Sequence, residues 1–215
     1  MSRHGEAWIE SPRRRTVEKA LIAPLMPAAR SIAAAGVVVP VIHEVPRSSY
    51  PGDHFLLKKF GDPEKDTALL RIFRKAMVDE LPQILDIWEG SMALIGPRAD
   101  EPEHIDGLFD AIGDPDLRDR WQAARELQRP GIISSYAVHS HRHNLDALPE
   151  SSRFSEEEAR AANAHLRARL DIADLENASF NHDMRLIAAT ASMAVANYIH
   201  YAQGLVSAPA PVSET

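Results

Sequence analysis

The chain has no cysteine among its 215 residues, which excludes disulfides, thiolate catalysis and any cysteine-ligated zinc site. A basic excess is also missing: 24 Lys and Arg stand against 31 Asp and Glu, for a formal net charge of −7. Nucleic-acid affinity rests on neutralising phosphates with Lys and Arg, so this balance argues against a nucleic-acid binder. No apolar run is unbroken. "ALIAPLMPAARSIAAAGVVVPVI", Ala20 to Ile42, is long enough for a membrane span, but it is rich in alanine and interrupted by Pro24, Pro27 and Pro40. No cleavable secretory signal is recognisable, so a cytoplasmic location is the default expectation. Internal repeats are absent too. What remains is ordinary: 45% apolar and 26% charged residues, enough for one compact domain with an appended segment.

Residues 1–16 are polar, carry Arg13, Arg14 and Arg15, and are expected to be a disordered basic start. Residues 17–45 admit two readings. One is a buried helix followed by a β-branched strand, Val37–Ile42; the other is a broken, re-entrant or interfacial segment anchored to anionic headgroups by the arginine triplet. Residues 46–203 are expected to form the main domain, and 204–215 a disordered tail. Within the domain, Tyr50 to Asp62 reads as turn, strand, turn, and Thr67 to Ala76 as a helix made basic on one side by Arg71, Arg74 and Lys75. Leu81, Ile84, Leu85 and Trp88 recur at helical spacing, Gly90 ends that helix, and "MALIG" is a short strand closed by "GPR". Residues 100–128 read as acidic helices broken by a turn at Gly113. Further helices are expected from Glu156 to about Leu170 and from Met184 to about Tyr201, with Asp183 capping the last.

The chemistry concentrates in "VDELPQILDIWEGSMALIGPRADEPE", Val78 to Glu103. Pro82 is tolerated only in the first turn of a helix, so the helix is expected to begin near Asp79. Asp79 and Glu80 then sit at its positive end, where anions are favoured. Adjacent carboxylates repel unless a cation lies beside them, and Arg74, Arg98 or a divalent metal would serve. A plainer account is an Asp N-cap with a Glu in the first turn, worth about 1 kcal/mol and no function. The local pattern alone leaves both accounts standing.

Read together, the segments resemble the bacterial sugar transferase family, the monotopic phosphoglycosyl transferases of polysaccharide assembly. The resemblance runs through the proline-broken segment of Arg13–Ile42, Pro51–Gly61, the basic helix and "DELPQ" of Phe73–Gln83, and "GSMALIGPR" of Gly90–Arg98. It continues through "RPGI", Arg129–Ile132, and Asp183–Thr190. It implies an α+β, mainly helical domain with a re-entrant or interfacial N-terminal helix at the cytoplasmic face of the bacterial inner membrane. It further implies transfer of a phosphosugar from a nucleotide diphosphate sugar, a UDP-sugar, to polyprenyl phosphate, initiating polysaccharide or glycoconjugate assembly. By that resemblance Asp79 is the nucleophile that forms an aspartyl-phosphosugar, Glu80 and Asp79 hold Mg²⁺, and Lys59, Arg74, Arg98 and Arg142 contact substrate phosphates. Membrane lipid is a further partner, and a homodimer is admitted.

The chain departs from the family pattern after Pro130-Gly131. Ala137, His139, Ser140 and His141 stand where the family has Gln, Asn, Gly and Arg, and Arg142 comes one position late. His139, His141 and His143 alternate, so on a strand all would project from one face and could ligate a metal. That spacing supports an alternative reading, a soluble metal-dependent hydrolase. Another alternative is a non-catalytic relative that binds nucleotide sugar or a partner transferase.

Overall fold

The computed structural model describes residues 3–31, 42–51, 55–60, 83–143 and 155–207; side chains are described for most of these. Helix α1 (Arg3–Ile9) leads into α2 (Pro12–Ile22), whose start is set by Ser11: its hydroxyl accepts from the Arg14 amide at 3.1 Å while Pro12 occupies the first turn. The stretch expected to be disordered therefore contains helix. Arg14 is only 3% exposed, so it is an internal residue and not a lipid anchor. At Pro24 the helix tightens to a 3-10 turn, Ala23–Leu25, then resumes as α3 over residues 26–31. Among the described residues no helix is long and apolar enough to cross a membrane.

Strands β1 (Ile42–Arg47) and β2 (Phe55–Phe60) form an antiparallel pair with Val45 opposite Leu57. The strand expected over Val37–Ile42 falls mostly outside the described residues, as do the basic helix Thr67–Ala76, the loop Asn144–Phe154 and the tail from residue 208. Helix α4 (Gln83–Glu89) ends at Gly90, whose φ of +97° lies in the left-handed region that glycine alone enters cheaply. Its buried face is Ile84 and Ile87, with Leu85 and Trp88 half-buried beside them. Strand β3 (Ala93–Ile95) follows. It pairs in parallel with β4 (Gly131–Ile133) across a crossover made of α5 (Pro102–Asp110) and α6 (Pro115–Glu126). Asp114 caps α6 by accepting from the Asp116 amide at 3.0 Å, which explains the break near Gly113.

After β4 the chain forms α7 (Ser135–His143), not the strand on which three histidines would align. At about 100° per residue, His141 is rotated some 200° from His139. Helix α8 (Glu156–Glu176) begins with a capping box between Ser155 and Glu158, and α9 runs Phe180–Ser207. Asp183 lies inside the first turn of α9 and is not its cap.

The core has linked parts. Helices α1, α5, α6 and α8 bury Trp121, Ile105, Leu108, Ile112 and Leu175, with the Phe109 and Trp121 rings stacked at 4.1 Å. Burying the Phe109 ring contributes about 3 kcal/mol and the stacking about 1 kcal/mol more. Trp121→Ala would cost roughly 3–5 kcal/mol. Ile22, Met26 and Ala29 pack on α4 in a second part, and Ile95, Ile133, Val138 and Leu186 form a third under the small parallel sheet. The protein is mainly helical α+β.

Candidate active site

The parallel pairing of β3 with β4 brings two sequence motifs together. The Gly96 amide donates to the Ile133 carbonyl at 2.9 Å, and the Gly131 amide donates to Pro97 at 3.0 Å. The "GPR" turn thus lies against the "RPGI" loop. A β-carbon on Gly96 would collide with the Arg129 carbonyl, and one on Gly131 with the Gly96 backbone. Both positions need glycine because the main chains approach too closely for any side chain.

Arginine side chains hold this segment by its carbonyl oxygens. Arg129 Nη1 donates to Met92 at 2.7 Å and Gly90 at 3.2 Å, while its Nη2 meets Glu18 at 3.3 Å. Arg14 Nη2 donates to Ile95 at 2.8 Å. The Arg98 carbonyl accepts from Arg125 Nη2 at 2.6 Å and from Arg167 Nη2 at 2.7 Å. Arg125 also pairs with Asp171 at 2.6 Å and donates through Nε to the Ser49 carbonyl; Arg167 pairs with Asp100. Asp171 accepts from Trp121 Nε1 at 2.8 Å as well.

Burial pulls the Arg125 guanidinium down to about 10 against the opposing pull of Asp171, so it stays charged at neutral pH. Burial also opposes the charge on Arg167, but the carboxylates of Asp100 and Asp171 outweigh it and raise its pKa. For Asp100 burial favours the neutral acid, and the Arg167 charge overcomes that and lowers its pKa.

The turn opens onto a polar cleft of about 190 Å³ lined by Gln83, Arg98, Asp100, Glu101, His104 and Arg47, among others. Glu101 pairs with Arg47 at 3.3 Å. The Arg98 side chain is exposed on this cleft although its carbonyl is clamped from within. Gln83, the first described residue after "DELP", is buried on the cleft's wall.

Of the residues singled out from the sequence, Arg98 is placed on the cleft. Asp79, Glu80 and Arg74 lie outside the described residues. Lys59 is on β2 opposite His43 and Arg142 is on α7, but their side chains are outside what is described. Among the described residues no group of His, Asp and Glu could hold a metal, and the helical form of α7 removes the shared face on which the His139/His141/His143 site depended.

Arg125, Arg167, Asp171 and Asp100 were not singled out. A signal existed for two of them: Arg167 and Asp171 lie in α8 between Ala164, Ala168 and Leu175, all at helical spacing and all buried. Charges inside a small-residue apolar stripe are charges that face a core.

An α+β domain in which a Gly-Pro-Arg turn is braced from the interior and faces a polar cleft is suited to present an arginine to an anionic substrate. The chain belongs to the bacterial sugar transferase family, whose model, described as "Bacterial sugar transferase", matches residues 19–197. A UDP-glucose:undecaprenyl-phosphate glucose-1-phosphate transferase of Caulobacter vibrioides is 40% identical over 72 residues, which is 34% of this chain and 24% of that protein. A UDP-N-acetylgalactosamine-undecaprenyl-phosphate N-acetylgalactosaminephosphotransferase of Aeromonas hydrophila is 33% identical over 81 residues, 38% of this chain and 17% of that protein. The exopolysaccharide production protein ExoY of Sinorhizobium fredii is 35% identical over 63 residues, 29% of this chain and 27% of that protein. The matched stretches span between 17% and 27% of these relatives' lengths.

Proposed function

We propose that the chain is a sugar-1-phosphate transferase that moves a phosphosugar from a UDP-sugar to a polyprenyl phosphate at the cytoplasmic face of the inner membrane. Asp79 attacks the sugar-bearing phosphorus, forming an aspartyl-phosphosugar and releasing UMP. A phosphate oxygen of the acceptor then attacks the same phosphorus, giving polyprenyl-diphosphate sugar and returning the Asp79 carboxylate. Asp79 and Glu80 offer the hard carboxylate oxygens that Mg²⁺ takes, and the ion would offset the charge of the diphosphate. Arg98 presents its planar guanidinium to paired phosphate oxygens.

The observation that carries this reading is the shared cleft of Gln83 and Arg98. Gln83 follows "DELP" directly in the sequence, which supports assigning that motif to this cleft. The relatives named for UDP-sugar and undecaprenyl phosphate support the choice of donor and acceptor. A membrane surface suits the exposed apolar side chains of Leu21 (41%) and Leu25 (45%) at the α2 break.

The test is UMP release by the full chain over a panel of UDP-sugars with undecaprenyl phosphate and Mg²⁺. Release that requires both donor and Asp79 is expected; no release with any donor overturns the reading.

A further inference from the structure

We propose that Arg125 and Arg167 are positioning residues for the transfer, holding the Arg98 peptide so that the Arg98 side chain meets the donor diphosphate; this rests on the function proposed above. A carbonyl oxygen has two lone pairs, and here each receives a buried guanidinium, from α6 at 2.6 Å and from α8 at 2.7 Å. Two donors from different helices fix a peptide plane more fully than one, because neither helix can shift without breaking a bond. The same turn is held one residue earlier by Gly131, whose amide donates to Pro97 at 3.0 Å.

The guanidiniums are not themselves substrate ligands. Arg125 and Arg167 are 0% and 2% exposed, and Asp171 and Asp100 neutralise them. Nor does stability explain them well. Buried ion pairs stabilise no better than apolar packing of the same volume, and Asp171 Oδ1 and Arg167 Nε are buried with no hydrogen-bond partner among the described residues. An arrangement that leaves such atoms unsatisfied is kept for what it orients. Its fixed output is the Arg98 carbonyl, and the Arg98 side chain stands on the cleft.

The test is a double-variant cycle on kcat/KM for the UDP-sugar, with Arg125→Lys made in the wild-type and Arg98→Ala backgrounds. Lysine keeps the charge but cannot reach the Ser49 carbonyl, Asp171 and the Arg98 carbonyl together as the planar fork does. In the wild-type background a loss of about 10- to 100-fold is expected, and in the Arg98→Ala background less than about 2-fold further loss. Should Arg125→Lys fail to fold, Asp100→Asn, which releases Arg167 and leaves the Arg125–Asp171 pair in place, carries the same cycle. Equal losses in both backgrounds, or none in either, overturn the positioning role while the transferase reading stands. If the chain binds UDP without turnover, the cycle is read on the UDP Kd with the same criteria. Wild-type protein that releases no UMP overturns the transferase reading, and if it does not bind UDP either, the positioning role falls with it.

Discussion

Arg14, in the second helix, donates through Nε to Asp183 Oδ2 at 3.0 Å although the two residues are 169 positions apart. Their side chains are 4% and 5% exposed. Trp8 Nε1 donates to the same oxygen at 2.9 Å, and Arg14 Nη2 reaches the Ile95 carbonyl. The pair thus ties the N-terminal helices, α9 and the end of β3 into one unit. Removing Arg14 leaves the Asp183 charge buried without its cation, so Arg14→Ala should destabilise by about 3–5 kcal/mol, read by denaturant titration; Asp183→Ala should cost less, because Glu18 still lies 3.7 Å from Arg14. A double replacement by Met at 14 and Leu at 183 should recover much of that loss. Single variants within about 0.5 kcal/mol of wild type would show that the pair is dispensable.

The junction of α7, α8 and α9 has its own pH signature. His182 Nε2 lies 3.0 Å from Asp174 Oδ1, and Asp174 also accepts from the Ser135 amide at 2.9 Å. The hydrogen bond to Asp174 raises the His182 pKa above 6.5, burial opposes it, and the Asp174 and Asp183 charges add to the rise. A raised folded pKa means the folded state holds the proton more tightly, so this stabilisation is complete below about pH 6.5 and fades as pH rises through the folded value. His182→Gln should therefore lower the Tm most near about pH 5.5 and least near about pH 8.5. A penalty that is flat over this range would show that the proton on His182 contributes nothing.

Much of the fold was legible because its signals are local. Gly90 marks a helix stop, the turn at Gly113 separates two helices, and "MALIG" has the look of a strand. The helix-versus-strand error at His139–His143 arose because the histidines are spaced by two, and the described buried residues of α7, Tyr136, Val138 and Ser140, alternate in the same way, so no helical period stood against a strand. The N-terminus was misjudged for a different reason. Arg14 looks like one of a solvated triplet with Arg13 and Arg15, and only Asp183, far away in sequence, makes it internal. Of the candidate site, Arg98 was legible from its turn. The bracing by Arg125 and Arg167 was not, because hydrogen bonds to main-chain carbonyls leave no pairing pattern between side-chain types.

The α2 break offers a check on membrane contact that is independent of chemistry. Leu21 and Leu25 are exposed, whereas Ile22, Met26 and Ala29 on the other side are buried. Replacing Leu21 and Leu25 together by Ser should leave the Tm within a few degrees of wild type, since neither side chain packs in the core. It should nonetheless shift the protein measurably toward the soluble fraction, because apolar area is lost from the face proposed to meet the membrane. Unchanged partitioning would overturn membrane contact at the α2 break. The paired control Ile22→Ser should instead lower stability by about 2 kcal/mol or more.

In the proposed reaction the chemistry turns on Asp79. An amide cannot serve as the nucleophile that forms an acyl phosphate, so Asp79→Asn should abolish UMP release, to below about 1% of wild type. Asparagine is as good an N-cap as aspartate, so if the residue also starts a helix the exchange keeps that role and isolates the reaction. Thermal melts of the two proteins should coincide within a few degrees. Glu80→Gln should reduce turnover through positioning of the ion or the acceptor, and added Mg²⁺ should relieve part of its defect if the ion is what it holds. With a labelled UDP-sugar and no acceptor, wild-type protein should retain label on the peptide containing "VDELPQ", and Asp79→Asn should retain none. An Asp79→Asn protein that turns over near the wild-type rate would sink the covalent route and leave both carboxylates as a helix cap and a first-turn charge.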